Sequence, residues 1–168
     1  MQKADFWIER LQLLAHPEGG FYRETYRSPE SFDFGHEAHD GSPRNLATAI
    51  YYLLRTGERS RLHCIGSDEL WFHHTGLPLE VHMFPPSGSP SSFLLGSDPE
   101  KGEVLQGCVP AGYWFGACHP NDRQEPEGFS LVSCVVAPGF DFRDFSFAKR
   151  ELLLERWPEY TCLIDRLT

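Results

Sequence analysis

The sequence predicts an all-β sandwich or barrel with helices confined to its two ends. Three observations carry this: the apolar runs are short, turn residues separate them, and the chain holds 15 Gly, 13 Pro and 13 Phe in 168 residues. A chain of this length reads as one domain, 1–168, able to bury a core without disulfide staples. The five cysteines, Cys64, Cys108, Cys118, Cys134 and Cys162, are odd in number and never form a C-x-x-C pair. Neither a disulfide framework nor a zinc finger is indicated, and reduced thiols are expected. A net charge of −9 with no Lys/Arg cluster argues against nucleic acid or an anionic membrane as partner. The opening MQKADFWIERLQ lacks the apolar core of a signal peptide and no window reaches membrane-spanning length, so a cytoplasmic protein is expected.

From Lys3 to Leu14 the apolar positions Phe6, Trp7, Leu11 and Leu14 follow helical spacing, with Asp5 and Glu9 in the early turns and His16-Pro17 as the stop. Glu18-Gly19-Gly20 reads as a turn. FYRETYRS then alternates as a strand, with Phe21, Arg23, Thr25 and Arg27 on one face and Tyr22, Glu24 and Tyr26 on the other. Its aromatic and charged pairing suits a sheet edge or a subunit contact. Residues 29–43 are polar and turn-rich; His36 and His39 there read as part of a solvated loop, with a stray divalent ion as the other reading. Ala47 to Leu54 is a strand rich in β-branched and aromatic residues. PLEVHMF fits a half-buried strand and SFLLG a short one. FSLVSCVVAPGF is the longest apolar strand, and AKRELLLERWPEYTCLIDRLT holds two short helices split by Pro158, packed outside the barrel.

The stretch GERSRLHCIGSDELWFHHTG, Gly57 to Gly76, is where chemistry concentrates. Strand alternation puts Arg61, His63 and Ile65 on one face and Glu69, Trp71 and His73 on another. Gly66-Ser67-Asp68 is a turn signal, so the two strands are expected to pair as a hairpin that brings His63 beside Glu69. Spacing alone leaves two readings open. In one, His63 is a hydrogen-bonded core histidine and Glu69 a hairpin-end charge; in the other both line a pocket.

The intervals favour the pocket. Gly57, five residues, His63, one residue, Ile65, three residues, Glu69, six residues, Gly76 resembles the first cupin motif at every interval, with Ile65 in place of the second histidine. Pro110-Ala111-Gly112 resembles the core of the second motif, with Phe115 in place of its histidine. HPEGGFYRETYRS, VPAGYWFGAC, VAPGFDFRDFSF and ELLLERWPEY extend the resemblance, over nearly the whole chain, to the small single-domain cupins classed as a family of unknown function. The resemblance implies a double-stranded β-helix, the cupin jelly-roll barrel, with an internal ligand cavity and usually a dimer. The superfamily includes metal-dependent oxygenases, metal-free sugar epimerases, isomerases and seed storage proteins.

A cupin metal centre uses three histidines and a glutamate. Carried over, this chain keeps His63 and Glu69 and puts apolar side chains at the other two positions, so no metal and no other cofactor is expected; the remaining metal reading is a weak site in which His73 serves as a third ligand. No G-x-S-x-G elbow, H-E-x-x-H helix, P-loop or dinucleotide fingerprint is present. The expected function is a small-molecule-binding cupin, as a metal-independent isomerase or epimerase of a carbohydrate-like or nucleotide-sugar metabolite, with His63 and Glu69 as the acid–base pair and Arg61, Trp71, His73 and Phe115 as ligand contacts. The other reading is a non-catalytic binding or sensing cupin. Two measurements check the sequence-level expectations. Light scattering should give the mass of two 19.2 kDa chains, and a single-chain mass at micromolar concentration refutes the dimer. Elemental analysis should find no stoichiometric transition metal, and one metal per chain lost on mutating His63 or Glu69 overturns that expectation.

Overall fold

A computed structural model describes residues 3–35, 41–120 and 127–168; His36 and His39 lie outside the described residues. Helix α1 (Ala4–Leu11) is followed by strands β1 (Leu14–Ala15), β2 (Phe21–Arg27), β3 (Ser31–Phe32), β4 (Arg44–Asn45), β5 (Thr48–Arg55), β6 (Arg59–Cys64), β7 (Asp68–Gly76) and β8 (Leu79–Phe84). Then come β9 (Ser91–Leu95), β10 (Gln106–Val109), β11 (Trp114–Cys118), β12 (Phe129–Ala137) and β13 (Ser146–Phe147), and helices α2 (Arg150–Arg156) and α3 (Thr161–Leu167). The expected all-β jelly-roll is the fold found.

Six strands, in the order β1-β2-β5-β12-β7-β10, face five in the order β13-β6-β11-β8-β9, and a two-stranded ribbon pairs β3 with β4. Between the main sheets lies an apolar core that includes Tyr52, Leu54, Trp71, Val81, Phe115 and Val132. The outer faces are covered as well. α1 lays Trp7, Ile8 and Leu11 against Leu53, Phe129 and Leu131 of the six-stranded sheet. α2 and α3 lay Leu153, Trp157, Ile164 and Leu167 against Leu62, Phe84 and Cys118 of the other. Both faces of β8 are therefore buried at Leu79, Val81, His82 and Phe84, not one face as alternation alone implies. Among the described residues no helix is long and apolar enough to cross a membrane.

Three further sequence expectations are corrected. The first helix ends at Gln12, which adopts the left-handed conformation and caps the last turn, so Leu14 belongs to β1. β6 and β7 do not form a hairpin: β6 pairs with β11 and β13, β7 with β10 and β12, and the Gly66-Ser67-Asp68 turn carries the chain from one sheet to the other. Their side chains converge because the two sheets face each other. In β2 a bulge between Glu24 and Tyr26 shifts the register, so Glu24 lies opposite Ile50 and Arg27 opposite Thr48. Arg27 thereby joins Glu24 on the inner face, whereas strict alternation separates them. After β12, DFRDFSF forms a 3₁₀ turn at Phe142–Asp144 leading into the two-residue β13.

That last segment is held over the open end of the barrel by a buried ion pair. Arg44 and Asp144 meet through two parallel contacts, Nε to Oδ2 at 2.7 Å and Nη2 to Oδ1 at 2.5 Å, and Arg44 Nη1 also donates to the Ser42 and Pro43 carbonyls and the Ser42 hydroxyl. A charge pair this buried persists only because its donors and acceptors are satisfied. It ties the segment that precedes β5 to the segment that follows β12.

Candidate functional site

The open end of the barrel leads into a cavity of ≈ 380 Å³. Its walls come from both sheets, and one of its buried polar groups, Glu18, arrives from neither. The turn His16-Pro17-Glu18-Gly19-Gly20 folds inward between the sheets and is stitched down by main-chain bonds: Gly19 N to His16 O, His16 N to Gly20 O, and Arg61 N to Glu18 O at 2.9 Å. The Tyr52 hydroxyl, itself buried, donates to Gly19 O at 2.8 Å. Gly19 has φ of +116°, and a Cβ there would sit 2.1 Å from the Arg59 carbonyl oxygen, so only glycine lets the turn approach β6 this closely.

The turn delivers a buried carboxylate. Glu18 is 7% exposed; its Oε1 accepts from Ser60 Oγ at 2.9 Å and its Oε2 lies 3.2 Å from His63 Nε2. The other His63 nitrogen, Nδ1, is 2.7 Å from the Arg61 carbonyl, an acceptor, so Nδ1 carries a proton. The contact between Nε2 and Oε2 therefore needs one further proton, shared between imidazole and carboxylate. His16 is assigned differently. Its Nδ1 accepts from Glu18 N–H at 3.3 Å, which leaves its proton on Nε2, and burial lowers its pKa against the pull of Glu18. The 3.6 Å approach of His16 Nδ1 to Glu18 Oε2 is thus proximity between two acceptors, not an ion pair.

Across the cavity, at the start of β7, stands Glu69. Burial, with the charge of Glu18 added, pushes its carboxyl up to about 8, only partly countered by a hydrogen bond with Cys134. The Cys134 thiol on β12 is held protonated by burial and by Glu69. One wall therefore carries a carboxyl held mostly neutral at pH 7, and the other a carboxyl–imidazole contact that needs a shared proton to be a hydrogen bond. A carboxyl held neutral facing a carboxyl–imidazole contact in one cavity is an arrangement suited to acid–base chemistry. The apolar side chains Ile50, Ile65 and Val136 line the cavity with them, as do Tyr22, Phe140 and Phe142.

Of the six side chains singled out from the sequence, His63 and Glu69 line the cavity and four do not. Phe115 is fully buried with its ring 4.1 Å from that of His63, forming the support behind the imidazole. Arg61 sits at the rim, its guanidinium 4.1 Å over the Phe147 ring and bonded to the Pro17 carbonyl. The physical reason is a bulge in β6, where Phe115 pairs with His63 but Ala117 with Ser60; the extra residue turns Ser60 inward and breaks the parity that linked Arg61 to His63. Trp71 fills the barrel interior edge-on to Tyr52, its Nε1 without a hydrogen-bond partner among the described residues. His73 lies further down β7, its Nε2 3.4 Å from the Leu77 carbonyl. The carboxylate partner of His63 is Glu18 and not Glu69. Sequence reading placed Glu18 in a turn, and its one signal was the following Gly-Gly, which permits close approach to another strand.

A transition metal of the kind the cupin resemblance implies does not fit these residues. Both His63 nitrogens are engaged, Ile65 and Phe115 occupy the remaining ligand positions, and among the described residues no group of three or more His, Cys, Asp or Glu is placed to hold a metal.

Comparison with known proteins agrees with the architecture. Residues 5–148 match the sequence family described as Cupin superfamily (DUF985). The chain is similar to an uncharacterized protein of Saccharomyces cerevisiae, 35% identical over 151 residues that span 86% of this chain and 74% of that one. It is similar in structure to a hypothetical protein from Leishmania major, with a TM-score of 0.89 and 38% identity over 99% of both chains. A protein from Shewanella oneidensis superposes with a TM-score of 0.86 at 41% identity, covering 100% of this chain and 98% of that one.

The raised Glu69 carboxyl has a measurable consequence for stability. Its folded-state pKa of about 8 lies above the ordinary 4.5, so the folded state binds more protons between those values. The contribution is complete below about 4.5 and is lost as pH rises toward about 8. Glu69→Gln, which cannot ionise, should therefore gain on the wild type through that window by up to ~1.4 kcal/mol per pH unit, and the difference should level off above it. Parallel chemical denaturation of the two proteins from pH 5 to pH 9 checks this; a constant difference would show that Glu69 is not held neutral.

Proposed function

Because this chain belongs to the cupin superfamily (DUF985), we propose that its barrel cavity binds a small polar metabolite and catalyses metal-independent isomerisation or epimerisation by moving a proton next to a carbonyl. The observation that carries the reading is the pairing, across one cavity, of the Glu18–His63 carboxylate–imidazole pair with the neutral carboxyl of Glu69. Proton abstraction beside a carbonyl needs a base on the carbon and an acid at the oxygen, and efficiency is greatest when both work near the ambient pH.

In this reading a C–H bond next to the carbonyl breaks, its proton passes to the Glu18 carboxylate held by His63, and the electron pair moves to the carbonyl oxygen. The Glu69 carboxyl gives that oxygen its proton, leaving a neutral enediol, a Glu18 acid and a Glu69 carboxylate. Reversing both transfers restores the carbonyl. Return of the proton to the opposite face of the same carbon gives an epimer, and return to the neighbouring carbon gives an isomer. The Cys134 thiol stabilises the transient Glu69 carboxylate by its hydrogen bond, and the apolar Ile50, Ile65 and Val136 keep the pair poorly hydrated.

The test is deuterium wash-in at carbon-bound positions across a panel of keto- and aldo-sugars, comparing wild type with Glu18→Gln, His63→Ala and Glu69→Gln. Wild type should exchange at least one compound, and each variant should lose about 10²-fold or more of that rate, the usual contribution of a positioned acid or base. The wild-type rate should also fall as pH rises through about 8, where Glu69 loses its proton. If wild type exchanges nothing above the variants while ligands still raise its melting temperature, the protein is a binding cupin and not an isomerase.

A further inference from the structure

We propose that this cavity selects a substrate without an anionic group, an unphosphorylated sugar-like carbonyl compound and not a sugar phosphate or nucleotide sugar, and that Glu24 enforces the choice by occupying the one arginine that faces the ligand. The inference rests on the proton-transfer reading for the carbonyl, but it is drawn from a different part of the wall.

Among the described residues, two arginines and no lysine line the cavity. Arg23 does not direct its charge inward. It pairs in register with Tyr51, on the outer face of the sheet, and its guanidinium reaches the Gln12 side chain at the end of α1. Arg27 does face inward, opposite Thr48, whose hydroxyl accepts from the Phe140 N–H at the cavity wall. Four of its five N–H groups are engaged: Nε and Nη2 donate to the two Glu24 carboxylate oxygens at 3.0 and 2.7 Å, and Nη1 donates to Asn45 Oδ1 at 2.8 Å and the Phe140 carbonyl at 3.1 Å. The bulge in β2 makes this pairing possible by turning Arg27 to the side of Glu24.

The remaining charged groups on the described wall are already paired: Glu18 shares a proton with His63, and Asp141 is bonded to Arg143. A phosphate entering ≈ 380 Å³ gives up part of its hydration and finds, among the described residues, no unpaired guanidinium or lysine to answer its charge. Phosphate and diphosphate recognition characteristically uses free arginine forks, lysines or helix N-termini. Hydroxyl and carbonyl groups meet no such penalty here, because Tyr22, Thr48 and Glu24 offer neutral or acceptor partners along the same wall.

Calorimetric titration of the full chain with three probes tests this: a free ketohexose, its 6-phosphate, and uridine diphosphate glucose. Wild type should bind the free sugar and bind neither anionic probe within about tenfold of it. Glu24→Gln, an exposed conservative change, frees Arg27 and should tighten binding of the 6-phosphate by about tenfold or more, a gain that Glu24→Gln combined with Arg27→Met should abolish. Tighter wild-type binding of either anionic probe, no effect of Glu24→Gln on phosphate affinity, or no binding of the free sugar overturns the inference. The two readings fail separately. Binding of the free sugar with no hydrogen exchange removes the isomerase and leaves the selectivity standing, and exchange on the phosphate alone does the reverse.

Discussion

A carboxylate buried among apolar side chains survives in its ionised form only if its surroundings answer its charge, and Glu18 sets that requirement for the whole open end of this barrel. Ser60 and His63 answer it from β6, so the side chains of that strand must present themselves at the point where the 16–20 turn dips between the sheets. The bulge in β6 brings both residues inward together. The negative field so created then adds to the burial of Glu69 and keeps that carboxyl neutral. Tyr52, Gly19 and the main-chain bonds of the turn are the supports without which the carboxylate could not stay where it is. One placement thus touches both carboxyls: Glu18, bonded by Ser60 and His63, adds its charge to the burial that already holds Glu69 neutral.

Much of the fold was legible in the sequence because it is written in period-2 patterns and turn residues. β5, β8, β12 and the two C-terminal helices lie where alternation, β-branched runs and Pro158 put them. What parity could not reveal is a single extra residue. Bulges in β2 and β6 each reverse the inside–outside relation beyond them, bringing Arg27 in and leaving Arg61 at the rim. A bulge depends on the register with the partner strand, which is set by contacts distant in sequence. The hairpin expectation failed for a related reason: a Gly-Ser-Asp turn is equally compatible with two strands that pair and two that part to opposite sheets, and only the whole topology decides. Glu18 was hidden most deeply. A glutamate before two glycines looks like a solvated turn, and nothing local says that the turn points inward.

The apolar side chains at two of the cupin metal-ligand positions do more than remove donors. Phe115 packs its ring behind the His63 imidazole and Phe145 stacks on the same ring with centroids 5.2 Å apart, so the histidine is clamped between aromatic surfaces. Clamping fixes which nitrogen faces Arg61 O and which faces Glu18. A residue that a metal would orient is here oriented by packing and by a main-chain carbonyl.

The passage of the chain from β6 to β7 carries it between sheets, so His63 and Glu69 belong to different layers of the sandwich although six residues apart in sequence. The gap between the two proton-handling walls is consequently the spacing of the layers themselves, fixed by how large the core side chains between them are. Trp71, which packs on Tyr52, acts in this sense as a spacer, and a change in its bulk would reset the distance across the cavity with both ionisable groups left in place. A ligand bridging the gap would in turn fasten one layer to the other, so that occupancy of the pocket and cohesion of the sandwich become the same mechanical quantity.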